Sequence, residues 1–147
     1  MGICNGFQIL TESGLLPGAL LHNNSHKFIC KNIYLKPETK NTLVTNQYTE
    51  KTIKIPIAHG EGKFFADEKT MKSLIQNDQI LFKYCDKNGN ITEQANPNGS
   101  LLNIAGVCNV DRNVFGMMPH PERSADKELN NQDGLTLFKS ILSEILA

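Results

Sequence analysis

The chain has 147 residues, of which 39% are hydrophobic and 20% charged, and this composition suits one globular core better than two. Fifteen Lys and Arg residues balance 15 Asp and Glu residues, so the formal net charge is zero. Because no excess of cationic side chains is available to neutralise phosphates, the composition argues against a nucleic-acid partner. We therefore expect a single domain over residues 1–147.

The sequence also argues against a membrane partner. A spanning helix needs roughly 20 apolar residues, and the richest stretch, Leu15–Leu21, is interrupted by Pro17 and Gly18. The first residues lack the basic start and apolar core of a secretory signal. These features predict a cytoplasmic location.

The first half of the chain predicts a helix followed by short strands. The helix covers Gly6–Ser13, with Asn5 as its N-cap and Gly14 as its stop signal. No residues precede it that would form a strand. Runs of β-branched and aromatic residues then predict three strands, at Phe28–Leu35, Thr42–Thr45 and Thr52–Ile57.

The second half predicts an alternation of helices and strands. A helix over Glu68–Gln76 is capped by Asp67, and the strand Ile80–Cys85 leads into the hairpin signal Asn88-Gly89. Further strands are predicted at Ile104–Val110 and Val114–Met118, joined by a tight turn. A terminal helix begins near Asp133, and its predicted core face consists of Phe138, Ile141, Leu142 and Ile145. The mixture indicates the α/β class.

The segment Gly2–Gly6 reads Gly-Ile-Cys-Asn-Gly and has the form of a nucleophile elbow. In such an elbow the central residue lies on a strained turn between a strand and a helix, and small neighbours permit the bend. At a helix N-terminus the thiolate of Cys4 would be favoured over the thiol, and the backbone N–H of Asn5 would face a developing oxyanion. The residues alone leave a second interpretation open, a buried cysteine between two turn glycines.

A cysteine nucleophile needs a base and a group that orients the base. His120-Pro121-Glu122 follows a predicted apolar strand, and the prolines on either side of His120 stiffen its loop. We therefore assign His120 as the base and Glu122 as its orienting carboxylate. A histidine on a rigid surface turn remains the alternative.

A second His-x-Glu segment is His59-Gly60-Glu61, in which Glu61 has a glycine on each side, Gly60 and Gly62. Spacing favours a structural loop, which could line the same pocket as Cys4 and His120. A metal site built from these side chains lacks any recognised ligand spacing, and we predict no metal.

Three further features have ordinary structural explanations. The segment Asn96–Ser100 reads Asn-Pro-Asn-Gly-Ser and is a surface turn by composition. The four cysteines are far apart, which excludes a dense disulfide framework. At least three of them are predicted to be small core residues.

Taken together, four segments resemble one family, the glutaminase subunits of phosphoribosylformylglycinamidine synthase (PurQ-like class I glutamine amidotransferases of purine biosynthesis). The segments, in order, are Gly2–Leu10 (Gly-Ile-Cys-Asn-Gly-Phe-Gln-Ile-Leu), Ala58–Gly62 (Ala-His-Gly-Glu-Gly), Asn96–Ser100 and Gly116–Arg123 (Gly-Met-Met-Pro-His-Pro-Glu-Arg). The elbow and His-Pro-Glu are shared across class I amidotransferases, and the two middle segments indicate the subfamily. The likeness covers essentially the whole chain.

The resemblance implies a flavodoxin-like fold and a specific chemistry. By this likeness Cys4 attacks the side-chain amide of glutamine, His120 acts as base and acid, Glu122 orients it, and Gln8 helps to hold the substrate. The ammonia would pass to a large synthetase subunit, which uses ATP and Mg, with a small bridging subunit between the two. No cofactor is expected in this chain.

The resemblance also implies that family members have further residues, including central strands, ahead of the elbow. On that basis we expect this chain to be the C-terminal portion of such a subunit, with the fold truncated before the elbow strand. Two functions follow as hypotheses: an active glutaminase, or an inert remnant that only docks on the synthetase. A different Cys-His hydrolase on the same fold would not explain the two subfamily segments.

Overall fold

The computed structural model describes residues 1–146, which form a mixed α/β structure. The strands are β1 (Gly2–Ile3), β2 (Ala19–His22), β3 (Ile29–Pro37), β4 (Ile53–His59), β5 (Glu61–Phe65), β6 (Ile80–Cys85), β7 (Ile104–Cys108) and β8 (Phe115–Met117). The α-helices are α1 (Asn5–Glu12), α2 (Glu68–Gln76) and α3 (Leu135–Ile145), and short 3₁₀ turns cover Leu101–Asn103, Pro121–Ser124 and Lys127–Leu129.

Six strands form one sheet in the order β1-β8-β7-β6-β3-β4, and β2 pairs with β5 in a separate antiparallel ribbon. Strand β1 runs parallel to β8, with Gly2 opposite Gly116. The remaining pairs of the large sheet are antiparallel. Because parallel neighbours end at the same edge, the residues that follow β1 and β8 emerge side by side.

The large sheet curls, as twisted sheets do. Strands β1 and β4 stand at opposite ends of the strand order, yet β4 returns to the edge where β1 and β8 end. The backbone N–H of His120 donates to the Pro56 carbonyl at 2.8 Å, and the Cys4 thiol donates to the Ala58 carbonyl at 3.8 Å. Three strands therefore meet around Cys4 and His120.

Two apolar clusters hold this arrangement in place. One lies between the curled sheet and α3 and includes the fully buried Leu35, Ile55 and Leu137. The other lies under α1 and α2 and includes Phe7 and Phe64, whose rings stack at 6.1 Å. The second cluster fixes α1, and through it the position of Cys4.

Most predicted elements are confirmed, including the α2 helix with its cap: the Asp67 carboxylate accepts from Thr70 N–H at 2.7 Å. The predicted strand Thr42–Thr45 is wrong. These residues form a turn in which Thr45 N–H donates to the Thr42 carbonyl at 3.2 Å and the two threonine hydroxyls bond to each other. Side-chain bonds to neighbouring groups compete with strand pairing for such residues.

Both ends of the chain also differ from expectation. The first helix is preceded by a strand after all, β1, and the residue before the helix is Cys4, not the predicted cap Asn5, which is already helical. In α3 Leu137 and Ser140 are fully buried, whereas Leu142 and Ile145 of the predicted core face are exposed. Asn88-Gly89 does form a turn, but it opens a long loop rather than a tight hairpin.

No helix within residues 1–146 has the length and apolar content to cross a membrane.

The cysteine prediction is wrong at one position. Cys85 and Cys108 are buried as expected, but Cys30 is exposed, and all four cysteines are free. Cys30 lies in the first part of β3, where Cys30, Lys31 and Asn32 are all exposed, and burial of alternate positions begins only at Ile33.

Candidate active site

Cys4 occupies a strained turn between β1 and α1. Its φ of 54° and ψ of −109° lie outside the regions that non-glycine residues favour. Its N–H donates to the Met117 carbonyl at 2.9 Å, which ties the turn to β8. A Cβ on Gly2 would lie 2.5 Å from the Gly6 carbonyl carbon, so glycine is required for the helix to fold back this closely. This is the geometry of a nucleophile elbow.

His120 and Glu122 form a directly bonded pair at the end of β8. His120 Nδ1 lies 2.6 Å from Glu122 Oε1. Because a carboxylate accepts, Nδ1 carries the proton and Nε2 is left with an acceptor lone pair. His120 is buried, and within the described residues its Nε2 has no hydrogen-bond partner. A buried imidazole with a carboxylate on Nδ1 and an available lone pair on Nε2 is what a general base requires.

The thiol of Cys4 is bonded not to His120 but to the Ala58 carbonyl, to which Sγ donates. Burial raises the pKa of the Cys4 thiol above its usual range, and the Asn5 N–H and the Arg123 charge counteract burial only in part. The prediction that the helix N-terminus favours the thiolate is therefore wrong, because burial outweighs its effect. A protonated thiol needs a base before it can attack.

A small cavity of ≈ 280 Å³ opens beside Cys4. Its walls come from the elbow, from α1 and from the turn between β4 and β5, and they include all the residues predicted for substrate binding and for the pocket loop. The lining residues are Cys4, Asn5, Gln8, Phe28, His59, Gly60 and Glu61. The structure thus brings together segments that are far apart in the sequence.

Gln8 and Glu61 are bonded to each other at this cavity. Gln8 Nε2 donates to Glu61 Oε2 at 3.3 Å and to Glu12 Oε1 at 3.0 Å. Since the amide nitrogen is engaged by two carboxylates, the amide oxygen of Gln8 is the group that remains for a donor on a ligand.

His59 is the second buried imidazole of the site. Asn23 is fully buried and donates its amide N–H groups to the carbonyls of Lys27 and His59, so its oxygen accepts from His59 Nδ1 at 3.0 Å. Burial, together with the neighbouring His120, lowers the pKa of His59 to about 4. This imidazole is neutral at physiological pH.

The Asn96–Ser100 segment, predicted to be a surface turn, is instead a buried support. The Asn98 amide donates to the Gly62 carbonyl at 2.8 Å, and Ser100 Oγ accepts from Phe64 N–H at 3.0 Å. A Cβ on Gly62 would overlap the His59 ring, so β5 packs directly against that ring. Because Asn98 and Ser100 hold β5 in place, they also fix the position of the imidazole. The turn-forming composition of Asn96–Ser100 gives no indication that Asn98 and Ser100 are buried. No local sequence pattern indicates that Asn23 is a buried partner of His59.

Within residues 1–146, no group of three or more His, Cys, Asp and Glu side chains has the geometry to hold a metal ion.

The family model of the CobB/CobQ-like glutamine amidotransferase domain matches residues 1–139. The chain belongs to this family. As a glutamine amidotransferase domain it has the α/β class I fold that the sequence predicted.

The chain is similar to PurQ subunits of phosphoribosylformylglycinamidine synthase. The PurQ subunit of phosphoribosylformylglycinamidine synthase from Acaryochloris marina is 54% identical over 148 residues, covering 100% of this chain and 63% of that protein. The PurQ subunit from Methanosarcina barkeri is 51% identical, covering 99% and 63%. A chain of the PurLQS structure from Thermotoga maritima is 44% identical with a TM-score of 0.81, covering 99% of this chain and 61% of that one. This amidotransferase domain spans less than two thirds of these relatives.

Proposed function

We propose that this protein is the glutaminase of a phosphoribosylformylglycinamidine synthase, which releases ammonia from glutamine through a thioester on Cys4. One observation carries the proposal: a strained cysteine and a carboxylate-bonded histidine follow two adjacent parallel strands and share one edge of the sheet. The similarity to PurQ subunits over nearly the whole chain supports the choice of substrate.

The first half of the reaction breaks the amide bond. Nε2 of His120 takes the thiol proton of Cys4, and the sulfur attacks the carboxamide carbon of glutamine. The imidazolium, stabilised by Glu122, returns that proton to the departing nitrogen. The C–N bond breaks, ammonia leaves, and a glutamyl thioester remains on Cys4.

The second half restores the enzyme. Water replaces ammonia, His120 Nε2 takes one of its protons, and the resulting hydroxide attacks the thioester carbon. The C–S bond breaks, the sulfur recovers its proton from His120, and glutamate leaves. The N–H of Asn5, which offsets part of the rise in the Cys4 pKa caused by burial, is directed towards the sulfur and serves as an oxyanion donor in both halves.

Gln8 has a supporting role in this scheme. It lines the cavity one helical turn after Cys4, and its free amide oxygen is placed to accept a hydrogen bond from bound glutamine.

The ammonia serves a larger assembly. We propose that a synthetase subunit, together with a small bridging subunit, uses ATP and Mg to transfer it to formylglycinamide ribonucleotide. The similarity to a chain of the PurLQS structure from Thermotoga maritima supports a synthetase partner. Four free cysteines fit the reducing cytoplasm, where disulfides are rare.

The test is glutamine-dependent ammonia release by the full chain, alone and with the synthetase subunit, with Cys4→Ser as the matched control. We expect activity that Cys4→Ser abolishes. Wild-type activity no higher than that of Cys4→Ser under both conditions would reject catalysis and favour the docking-only hypothesis.

A further inference from the structure

The cavity beside Cys4 has one charged side chain among the residues that line it in the described chain, and this is Glu61. Its partner in sequence, His59, is neutral there. Glu61 is the first residue of β5, and its side chain is 42% exposed. The Glu61 carboxylate thus lies on one wall of a small pocket, and helix α1, which begins directly after Cys4, lies on the opposite wall.

The carboxylate of Glu61 is only partly occupied. Oε2 accepts from Gln8 Nε2 at 3.3 Å, and Oε1 lies 3.4 Å from Nε2 of His22, which carries charge only when protonated. Among residues 1–146, no Lys or Arg lies within ion-pair distance of Glu61, and nearby Lys63 donates to Asn24 instead. Two contacts leave acceptor positions free on a carboxylate, which has about four.

The proposed substrate supplies the matching group. Glutamine carries its carboxamide, which must reach Cys4, at one end and an α-ammonium at the other. An ammonium has three N–H donors and no acceptor, and a carboxylate is its strongest partner. Building on the proposed glutaminase function, we infer that Glu61 binds the α-ammonium of glutamine and restricts the site to free amino acids.

Glu12 provides a matched control. It accepts from the same Gln8 amide at 3.0 Å, but it does not line the Cys4 cavity. Glu61→Gln and Glu12→Gln therefore remove the same charge and keep the same shape on either side of Gln8, and only the first should change substrate binding.

The experiment measures covalent labelling of Cys4 in the full chain, which requires no turnover and no synthetase. The probe is a diazoketone analogue of glutamine that retains the α-ammonium, and iodoacetamide, which lacks it, is the reference reagent. We expect Glu61→Gln to raise the half-saturating concentration of the diazoketone about 10–100-fold. The iodoacetamide rate and the behaviour of Glu12→Gln should match the wild type.

Protection from labelling completes the test. Glutamine should protect wild-type Cys4 far better than glutaramate, which is glutamine without its α-amino group, and this preference should shrink in Glu61→Gln. The role of Glu61, but not the proposed function, would be overturned if wild-type labelling saturates and Glu61→Gln has the same half-saturating concentration. The same holds if Glu61→Gln keeps the full preference for glutamine over glutaramate. Absence of saturable labelling in the wild type would overturn the proposed function together with it.

Discussion

The site contains two His-x-Glu segments, at residues 59–61 and 120–122, that differ in what their imidazoles contact. In both, the ring is buried, Nδ1 is bonded and Nε2 has no partner within the described residues. His120 is bonded to the carboxylate of Glu122, whereas His59 is bonded to the neutral amide of Asn23. A carboxylate stabilises an imidazolium and an amide does not.

The bonding partner, rather than the motif, decides which histidine can hold a proton. Glu122 contacts its own histidine, but Glu61 is directed away from His59 towards Gln8 and His22. The same three-residue spacing therefore gives a carboxylate-bonded imidazole, the proposed base, in one segment and a neutral imidazole with a carboxylate directed away from it in the other.

The two histidines should differ most. Replacing His120 with Asn removes the proposed base, and kcat for ammonia release should fall roughly 10²–10⁴-fold. The matched change His59→Asn should reduce kcat far less, because His59 does not carry the transferred proton. Steady-state kinetics of both variants, measured with the synthetase subunit present, tests this difference; equal losses in kcat would contradict it.

The two glutamates should separate next. Glu122→Gln deprives the imidazolium of its counter-charge, so we expect kcat to fall roughly 100-fold with little change in KM. Glu61→Gln should instead raise KM for glutamine and leave kcat nearly unchanged, since its proposed contact is with the α-ammonium. The comparison fails if both variants lose kcat to the same extent.

The smallest effect concerns stability and pH. The folded-state pKa of His59 is lowered to about 4 from 6.5. Between pH 4 and 6.5 the unfolded chain therefore binds a proton at His59 that the folded chain does not bind. The free energy of unfolding should therefore fall by roughly 2–3 kcal/mol as pH drops through this window. Urea unfolding at several pH values measures it. In His59→Asn this part of the slope should vanish, and an unchanged slope would show that other groups cause it.

The sequence predicted those parts of the site that depend on neighbouring residues. The elbow requires small residues around Cys4 within one turn, and His120 and Glu122 are two positions apart on a loop stiffened by proline, so both patterns are visible locally. The α2 helix was predicted for the same reason, because its cap and its apolar spacing are local.

The features that were missed depend on contacts between distant segments. Asn23 bonds to His59, which is 36 positions away, and Asn98 bonds to Gly62 at the same separation, so neither burial has a local signature. Strand β1 has two residues and exists because β8 pairs with it. The raised pKa of Cys4 likewise follows from burial of its thiol in the folded chain, which no pattern around the elbow reveals.

The pairing of β1 with β8 has a consequence for protein synthesis. Gly2 takes its neighbour from Gly116, a residue that leaves the ribosome long after the cysteine has emerged. A strained turn persists only while surrounding structure enforces it, and such distant pairing forms late. A nascent chain therefore exposes a relaxed cysteine, and the strained turn at Cys4 forms only after Gly116 has been synthesised.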